Sequence, residues 1–170
     1  MPRLLFALAL ILSGSIVGCG GGPTFDGVRY QGKGVAFRVA PHPAAWSRLD
    51  MSEGLVAFRD AQASATILVN GRCGKDGDDV PLSALTQHLF LLFTERTIEE
   101  EQVFPMDGRE AMRTVLRAKL DGVPKRFETV VLKKDGCVYD LVLIAEPDTF
   151  GQARPAFDGF VESFHAETAR

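Results

Sequence analysis

The feature that most constrains this fold is the dipeptide Asp-Gly, which recurs every 14 residues, at positions 107, 121 and 135. Asp-Gly is the preferred two-residue turn of a β-hairpin because both central positions of the turn need a positive φ angle. Three evenly spaced turns of this kind predict a four-stranded antiparallel meander. Its strands are expected at 98–106, 109–120, 123–134 and 137–145.

Two-residue turns also fix which residues lie opposite one another in neighbouring strands. On one face of the meander, the predicted register aligns three rows of side chains, which we expect to form the core. The rows are Val103, Met112 and Val131; Leu116, Phe127 and Ile144; and, between them, Thr114, Thr129 and Val142.

The sequence before the meander predicts three strands and a helix. Strands are expected at 35–39, 55–58 and 65–69, from alternating or β-branched apolar residues. A helix is predicted to start at Pro81 and to carry apolar side chains on one face as far as Phe93, with Ser83 and Thr86 facing elsewhere.

The sequence after the meander predicts a closing helix. This helix is expected to start at Pro155, because proline needs no hydrogen-bond donor in a first turn. Its apolar face would contain Phe157, Phe160, Val161 and Phe164. Residues 165–170 are expected to fray.

The N-terminus has the pattern of a secretory signal. Arg3 precedes an apolar run from Leu4 to Val17, which is long enough for a signal and too short to span a membrane. The run ends in residues 16–19, Ile-Val-Gly-Cys, which resemble the lipobox of bacterial lipoproteins. The resemblance implies that residues 1–18 are removed, that diacylglycerol is attached to the Cys19 sulfur, and that the new N-terminus is acylated, for example with palmitate. Ordinary secretion with a chance cysteine is the alternative.

A lipid on Cys19 would place the protein in the cell envelope, outside the cytoplasm. Two or three acyl chains hold a domain on a bilayer because each buried methylene contributes about 0.8 kcal/mol. Residues 19–29 would form a flexible tether. Gly20 stands where an inner-membrane retention Asp occurs in many Gram-negative lipoproteins, so the resemblance implies the periplasmic side of the outer membrane in such a host.

Composition predicts one domain, over residues 30–166. With 46% hydrophobic residues, a mature chain of about 150 positions fills one core. Removing residues 1–18 leaves 18 Lys and Arg against 22 Asp and Glu, which argues against a nucleic-acid partner. The membrane and an envelope protein are the expected partners.

Cys73 and Cys137 are the thiols left once Cys19 carries lipid. An extracytoplasmic compartment permits them to form a disulfide, and so long a loop gives a stabilisation of about 4 kcal/mol. Two separate buried thiols fit the sequence as well, so the pairing stays open.

The histidines at positions 42, 88 and 165 are the first candidates for chemistry. No HExxH, GxSxG or paired-cysteine motif accompanies them, so we expect no catalytic residue, metal or cofactor. His88 is interpreted as a residue at the edge of the first helix's apolar face.

Two acidic features are candidates for a functional site. Residues 75–79, Lys-Asp-Gly-Asp-Asp, carry oxygen ligands that suit calcium but lack the later Glu of a calcium loop, which favours a solvated loop before the helix. Asp140 is predicted opposite Val131 on the core side, where a carboxylate needs a partner or a raised pKa. We interpret it as a sheet-margin residue held by a backbone donor or a lysine.

Four basic residues share the other face of the second meander strand and could suggest an anionic ligand. They are Arg109, Arg113, Arg117 and Lys119. The predicted register places Glu100 and Glu128 beside two of them, which favours a solvated lattice of ion pairs.

This order of elements resembles the PsbP-like fold. The sequence has a strand followed by Pro and Trp, two strands, a helix, the meander and a closing helix containing FDGFVESF at 157–164. The resemblance implies an α+β class, with an antiparallel sheet flanked by helices in an α/β/α sandwich, as in a photosystem II extrinsic protein and in bacterial lipoproteins of the DcrB and LpqN types. Such proteins mostly serve as assembly factors or binding modules, so the resemblance implies no reaction.

Three hypotheses about function follow. The first is a non-catalytic envelope lipoprotein that binds or assembles another component. The second is a carrier of a small apolar ligand held between the helix at 82–93 and the sheet. The third is a hydrolase with an unrecognised site, which requires a cleft that gathers a histidine and a carboxylate.

Overall fold

A computed structural model describes residues 22–32, 34–51, 56–74 and 80–168. The segments expected to be the signal and the calcium-type loop lie outside these residues, as does Cys19. The elements before the meander are β1 (Thr24–Phe25), β2 (Arg29–Gly32), β3 (Val35–Arg38), β4 (Ser47–Leu49), β5 (Val56–Asp60), β6 (Ala65–Cys73) and α1 (Leu82–Leu89). The remaining elements are β7 (Phe93–Met106), β8 (Arg109–Leu120), β9 (Val123–Lys134), β10 (Cys137–Ala145), α2 (Phe150–Ser163) and β11 (His165–Glu167).

The meander is formed by β7 to β10, and its predicted turns are confirmed. Asp107, Asp121 and Asp135 have φ angles of 48°, 51° and 52°, and the glycine after each also has a positive φ. These are the angles that a two-residue hairpin turn with matching twist requires. The bounds of β8, β9 and β10 agree with the prediction, whereas β7 begins five residues early, at Phe93.

The predicted register is also confirmed. Val103 lies opposite Met112, which lies opposite Val131. The other two rows are likewise aligned: Leu116, Phe127 and Ile144, and Thr114, Thr129 and Val142.

The meander belongs to a seven-stranded sheet with the order β4-β5-β6-β10-β9-β8-β7. The main core lies on the face that was expected to be solvated, where α2 and a four-stranded sheet of order β1-β2-β3-β11 cover it. The predicted core face carries two smaller clusters under α1, so both faces of the sheet are covered in part. The α+β class and the flanking helices are as predicted.

Both helices differ from the prediction at their ends. Helix α1 ends at Leu89, and Phe93 already belongs to β7. Thr86 was expected to face away from the core, yet it is fully buried. Helix α2 begins at Phe150, with Pro155 inside it, so the proline does not mark its start. Pro155 has no N–H to donate to the carbonyl of residue 151, one turn earlier, and the helix nevertheless continues through it.

The chain ends were predicted least well. His165–Glu167 forms β11 and pairs with β3, so residues 165–167 are not frayed. Thr24–Phe25 pairs with β2 although it lies within the expected tether, so ordered chain begins before residue 30. Short edge strands such as these carry no periodic signal of their own, because pairing rather than burial defines them.

Candidate functional site

A buried carboxylate, Glu128 of β9, lies between the sheet and α2. Its side chain is 0% exposed, and its Oε2 lies 2.9 Å from Nε of Arg154 on α2. On the other side, Arg113 of β8 places a guanidinium nitrogen 3.2 Å from Oε1 of Glu128 and 3.2 Å from Asp158. The four side chains join the sheet to α2 through two cations and two anions.

The pKa of Glu128 is raised, first because burial disfavours its charged form. Arg113 and Arg154 act in the opposite direction and offset that rise only in part. Buried ion pairs of this kind have a desolvation cost comparable to their attraction. The cluster therefore fixes the orientation of α2 on the sheet without presenting a free charge to a ligand.

The interpretation of the basic row as a solvated lattice is wrong for Arg113, whose side chain is only 15% exposed. The register places Glu100 and Glu128 on either side of Val115, diagonally across from Arg113 and Arg117 as predicted, and the Arg113–Glu128 pair is confirmed. Arg117 instead pairs with Glu99, whose Oε1 lies 2.7 Å from its Nε. An irregularity between Ile98 and Glu100 inserts Glu99 and turns it to this face. Lys119 pairs with Glu95 at 2.7 Å, and Arg109 is exposed.

Asp140 lies opposite Val131, as predicted, and is 2% exposed. Its partner is Arg72 of β6, and not a backbone donor or a lysine. Burial raises the pKa of Asp140, while Arg72 and Asn70 act against that rise. Asp140 lies inside the sheet, between β6 and β9, so its pairing with Arg72 is a structural contact between strands.

Asp107 makes side-chain contacts that its position in an Asp-Gly turn does not indicate. Its Oδ2 accepts a hydrogen bond from the backbone N–H of Ala166 at 2.8 Å and lies 2.8 Å from Nζ of Lys134. Its Oδ1 lies 2.5 Å from Nδ1 of His165. Burial would raise the pKa of Asp107, but the contacts from Lys134, Ala166 and His165 outweigh it and lower that pKa. Asp107 thus clamps the β7–β8 turn to β11.

Two cavities lie near this clamp. One, of about 400 Å³, is lined by Val28, Arg38, Val39, Ala40, Pro41, Ser163 and His165. The other, of about 370 Å³, is lined by Gln102, Phe104, Pro105, Met106, Asp107, Arg113, Val161, Glu162 and Phe164. Neither cavity includes a residue of α1, where the predicted carrier pocket would lie. That interface is instead filled by Leu85, Phe90, Leu116, Phe127, Val131 and Val138.

The remaining candidate residues, two histidines and two cysteines, lie in different parts of the fold. His42 packs its ring 4.8 Å from that of Phe58, and His88 is exposed in the last turn of α1. Cys73 and Cys137 face each other across β6 and β10, with Cα atoms 4.0 Å apart, and are joined by a disulfide bond. Among the described residues, no group of three or more His, Cys, Asp or Glu side chains could hold a metal ion.

An exposed apolar surface lies where α1 gives way to β7. We call it the α1–β7 surface and define it by four side chains, which are Leu91 (72% exposed), Leu92 (82%), Ile98 (47%) and Val103 (56%). Isolated apolar residues on a surface need no explanation, whereas several that are exposed along one stretch of chain, here 91–103, indicate an interaction site.

The register shows why this surface is uncovered. Ile98 lies opposite Leu116, and Val103 lies opposite Met112, so both continue apolar rows that are buried further into the sheet. Helix α1 packs mainly against β8 and β9, the strands next inward from β7. Strand β7, at the edge of the sheet, therefore carries the last residues of these apolar rows, Ile98 and Val103, and their side chains are exposed.

The sheets and helices together define an antiparallel α+β sandwich. Among the described residues, no helix is long and apolar enough to cross a membrane. No protein-family model matches the sequence, and no curated protein is similar to it.

Solved structures share this fold, and it is PsbP-like. Cyanobacterial PsbP (CyanoP) from Synechocystis sp. PCC 6803 superposes with a TM-score of 0.58 at 18% identity, over 91% of this chain and 100% of that chain. LpqN of Mycobacterium tuberculosis, involved in cell envelope biogenesis, gives a TM-score of 0.54 at 18% identity, over 88% and 87%. PA94 of Pseudomonas aeruginosa, of unknown function, gives 0.54 at 16% identity, over 81% and 92%.

Proposed function

We propose that this protein is a non-catalytic binding module of the cell envelope, held on a membrane by lipid on Cys19, and that it engages a partner through the α1–β7 surface. The observation that carries the proposal is the exposure of Ile98 and Val103 at the ends of otherwise buried rows. When a partner covers exposed apolar side chains such as these, their burial stabilises the complex by about 25 cal/mol per Å² of apolar surface.

The charged clusters support a binding role over a catalytic one. Glu128 is held by Arg113 and Arg154, and Asp140 by Arg72, so the buried carboxylates are engaged within the fold. The fold itself is compatible with this role, since LpqN, which shares it, is involved in cell envelope biogenesis. A shared fold supports a class of role and transfers no particular partner.

Site-specific photo-crosslinking in cells tests the proposal. A photoreactive amino acid is placed at Val103 in the full-length protein, and a matched one at Gln152, which is exposed on α2. We expect a discrete crosslinked envelope protein from position 103 and none from position 152. Equal, diffuse crosslinking from both positions would count against the α1–β7 surface as a binding site.

The tether is tested separately. Cys19→Ser should move the protein from the membrane fraction to the soluble extracytoplasmic fraction, since only the thiol accepts diacylglycerol. A variant that stays with membranes would show that the lipobox resemblance misled us. Crosslinking from position 103 can succeed whichever result is obtained, so the two halves of the proposal are independent.

One observation favours a hydrolase as the second candidate. His165 and the buried carboxylate of Asp107 are 2.5 Å apart beside the 400 Å³ cavity, which also contains Ser163. However, the Ser163 hydroxyl donates to Gly159 O at 2.6 Å and accepts from Ala40 N at 2.7 Å. Its proton is committed to a helix carbonyl, so activation by His165 would require rearrangement. Esterase turnover that is lost in His165→Ala would support this candidate.

A further inference from the structure

We infer that the partner segment bound by the α1–β7 surface is a cationic amphipathic helix that lies along β7 beside α1. The inference rests on the proposed function and names the kind of partner. Three features of the molecule support it: the irregular edge of β7, the spacing of the exposed apolar side chains and the carboxylates near them.

The edge of β7 is poorly suited to receive another strand. The β7–β8 pairing is interrupted between Thr94 and Thr97 and again between Ile98 and Glu100. Glu95 adopts a φ of 51°, and Pro105 has no N–H to offer. Bulges, prolines and charges on an edge strand are devices that prevent strand addition. The face of β7 is therefore the accessible feature, and not its edge.

The exposed apolar side chains match a helix in length. Ile98 and Val103 both point to the α1 side of the sheet, because their partners Leu116 and Met112 belong to rows covered by α1. The bulge at Glu99 leaves them opposite Leu116 and Met112, four residues apart on β8, so roughly 13 Å of strand separates them. About 9 residues of helix, between two and three turns, span that distance and present apolar residues at each turn.

The charge of the partner follows from two carboxylates on the same face. Glu101 lies opposite Thr114, and Glu110 lies two residues from Met112, so both flank Val103 on the α1 side. Both are exposed, and among the described residues neither has an ion-pair partner. Two cations of the described chain lie near this surface: Arg96 donates to Phe90 O at 3.3 Å, at its other end, and Lys133, across from Glu110 in the register, donates to Val80 O at 3.0 Å. Lysines or arginines that flank the apolar stripe of a helix would reach Glu101 and Glu110.

The same carboxylates disfavour two other occupants. A second copy of this chain, related by a twofold axis, would place Glu101 and Glu110 of both copies in one interface and so concentrate negative charge there. An anionic lipid surface would likewise be repelled. Self-association and membrane docking through this surface are therefore treated as results that would overturn the inference.

Fluorescence anisotropy with synthetic peptides provides the test. The lipidated full-length protein is placed in phosphatidylcholine nanodiscs, with empty nanodiscs as the blank. The probe is a labelled 18-residue peptide of leucine and lysine, with leucines at helical i, i+4, i+7 and i+11 positions. The matched probes are a leucine and glutamate peptide with the same leucine positions, and a leucine and lysine peptide with scrambled order.

We expect the amphipathic lysine peptide to bind better than either matched probe. Replacing both Ile98 and Val103 with serine should weaken that binding by about tenfold, given the apolar area each contributes. The control Met51→Ser removes a comparably exposed side chain, 47% exposed, which follows β4 at the opposite edge of the sheet, and should bind as the wild type does. Glu101→Lys with Glu110→Lys should reverse the preference, toward the glutamate peptide.

Equal binding of the lysine peptide to the wild type and to the serine variant would overturn the inference. So would an indifferent response to charge reversal, a dimer in sedimentation that the serine variant abolishes, or binding to anionic vesicles that depends on Ile98. A crosslink from position 103 in cells, combined with no peptide preference, would leave the proposed function standing and remove the helix. Crosslinks from neither position would remove the proposed function itself.

Discussion

Ile98 and Leu116 lie directly opposite each other across β7 and β8, yet Leu116 is fully buried and Ile98 is 47% exposed. One row of apolar side chains thus passes from a covered to an uncovered position within one strand spacing. Leu116 packs with Phe90 beneath the end of α1, and the helix layer stops there. The difference in cover between these two residues underlies both the proposed function and the inferred partner.

Because Leu116 is covered and Ile98 is not, we expect substitutions at the two positions to lower the free energy of unfolding by different amounts. Leu116→Ala should lower the free energy of unfolding by about 2 to 5 kcal/mol, because it leaves a cavity under α1. Ile98→Ala should change it by no more than about 0.5 kcal/mol, as expected of a surface position. Urea denaturation of the two variants measures both values. A cost at Ile98 as large as that at Leu116 would mean that Ile98 is structural.

The bond between Cys73 and Cys137 predicts a second effect on stability. The two residues are 64 positions apart, so in a chain-entropy account their bond restricts the unfolded chain by about 4 kcal/mol. Cys73→Ser with Cys137→Ser should lose that amount, and a reductant should destabilise the wild type but not the double variant. Intact-mass analysis that finds two free thiols in the mature wild type would contradict the bond.

Gly71 predicts a cost of close packing between the two sheets. A Cβ at Gly71 would lie 2.6 Å from Val35 and 3.2 Å from the Tyr139 ring. Gly71→Ala should therefore destabilise the protein by about 1 to 3 kcal/mol, as overpacked cores do. Gly159→Ala in α2, where a Cβ meets nothing within 4 Å, is the control and should be neutral or stabilising by up to about 1 kcal/mol. Thermal unfolding separates the two.

Asp107 predicts a pH-dependent contribution to stability. Its pKa is lowered from the ordinary 3.8, so the folded state holds its proton less tightly than the unfolded state does. The stabilisation is therefore complete above the ordinary value and is lost as the pH falls through the lowered one. Asp107→Asn should cost about 2 kcal/mol at neutral pH, as for hydrogen bonds to a charged group, and progressively less toward strong acid.

Asp121→Asn supplies the matched control for Asp107. Asp121 occupies the same turn position, with a φ of 51°, and asparagine tolerates that angle. The control should therefore match the wild type at every pH. A cost of Asp107→Asn that stays constant from neutral pH to strong acid would show that its carboxylate charge is not involved.

The meander could be predicted in detail because its information is local. Each Asp-Gly pair specifies a turn type, and each turn fixes the register of two strands, so Val103, Met112 and Val131 could be aligned from spacing alone. The start of α2 was harder because a proline does not fix where a helix begins: α2 starts five residues before Pro155 and continues through it. The strand His165–Glu167 depends on a partner far away in sequence, β3, and leaves no local pattern.

The candidate sites were predictable only in part. Register alone placed Arg113 beside Glu128, but their burial depends on α2, whose docking on that face no spacing rule indicates. The residues from Leu89 to Phe93 are apolar, a pattern that fits either a deeply covered helix or a partner surface. In the structure both occur, since Phe90 is buried in the core whereas Leu91 and Leu92 are exposed.

Whether a partner covers the α1–β7 surface in the cell can be measured by cysteine accessibility. Val103→Cys and the control Gln152→Cys are expressed at the native level, and maleimide labelling is compared between isolated envelopes and purified protein. We predict that position 103 is protected in envelopes and labelled freely when pure, whereas position 152 is labelled equally in both. Equal labelling of position 103 in the two preparations would contradict the proposed function.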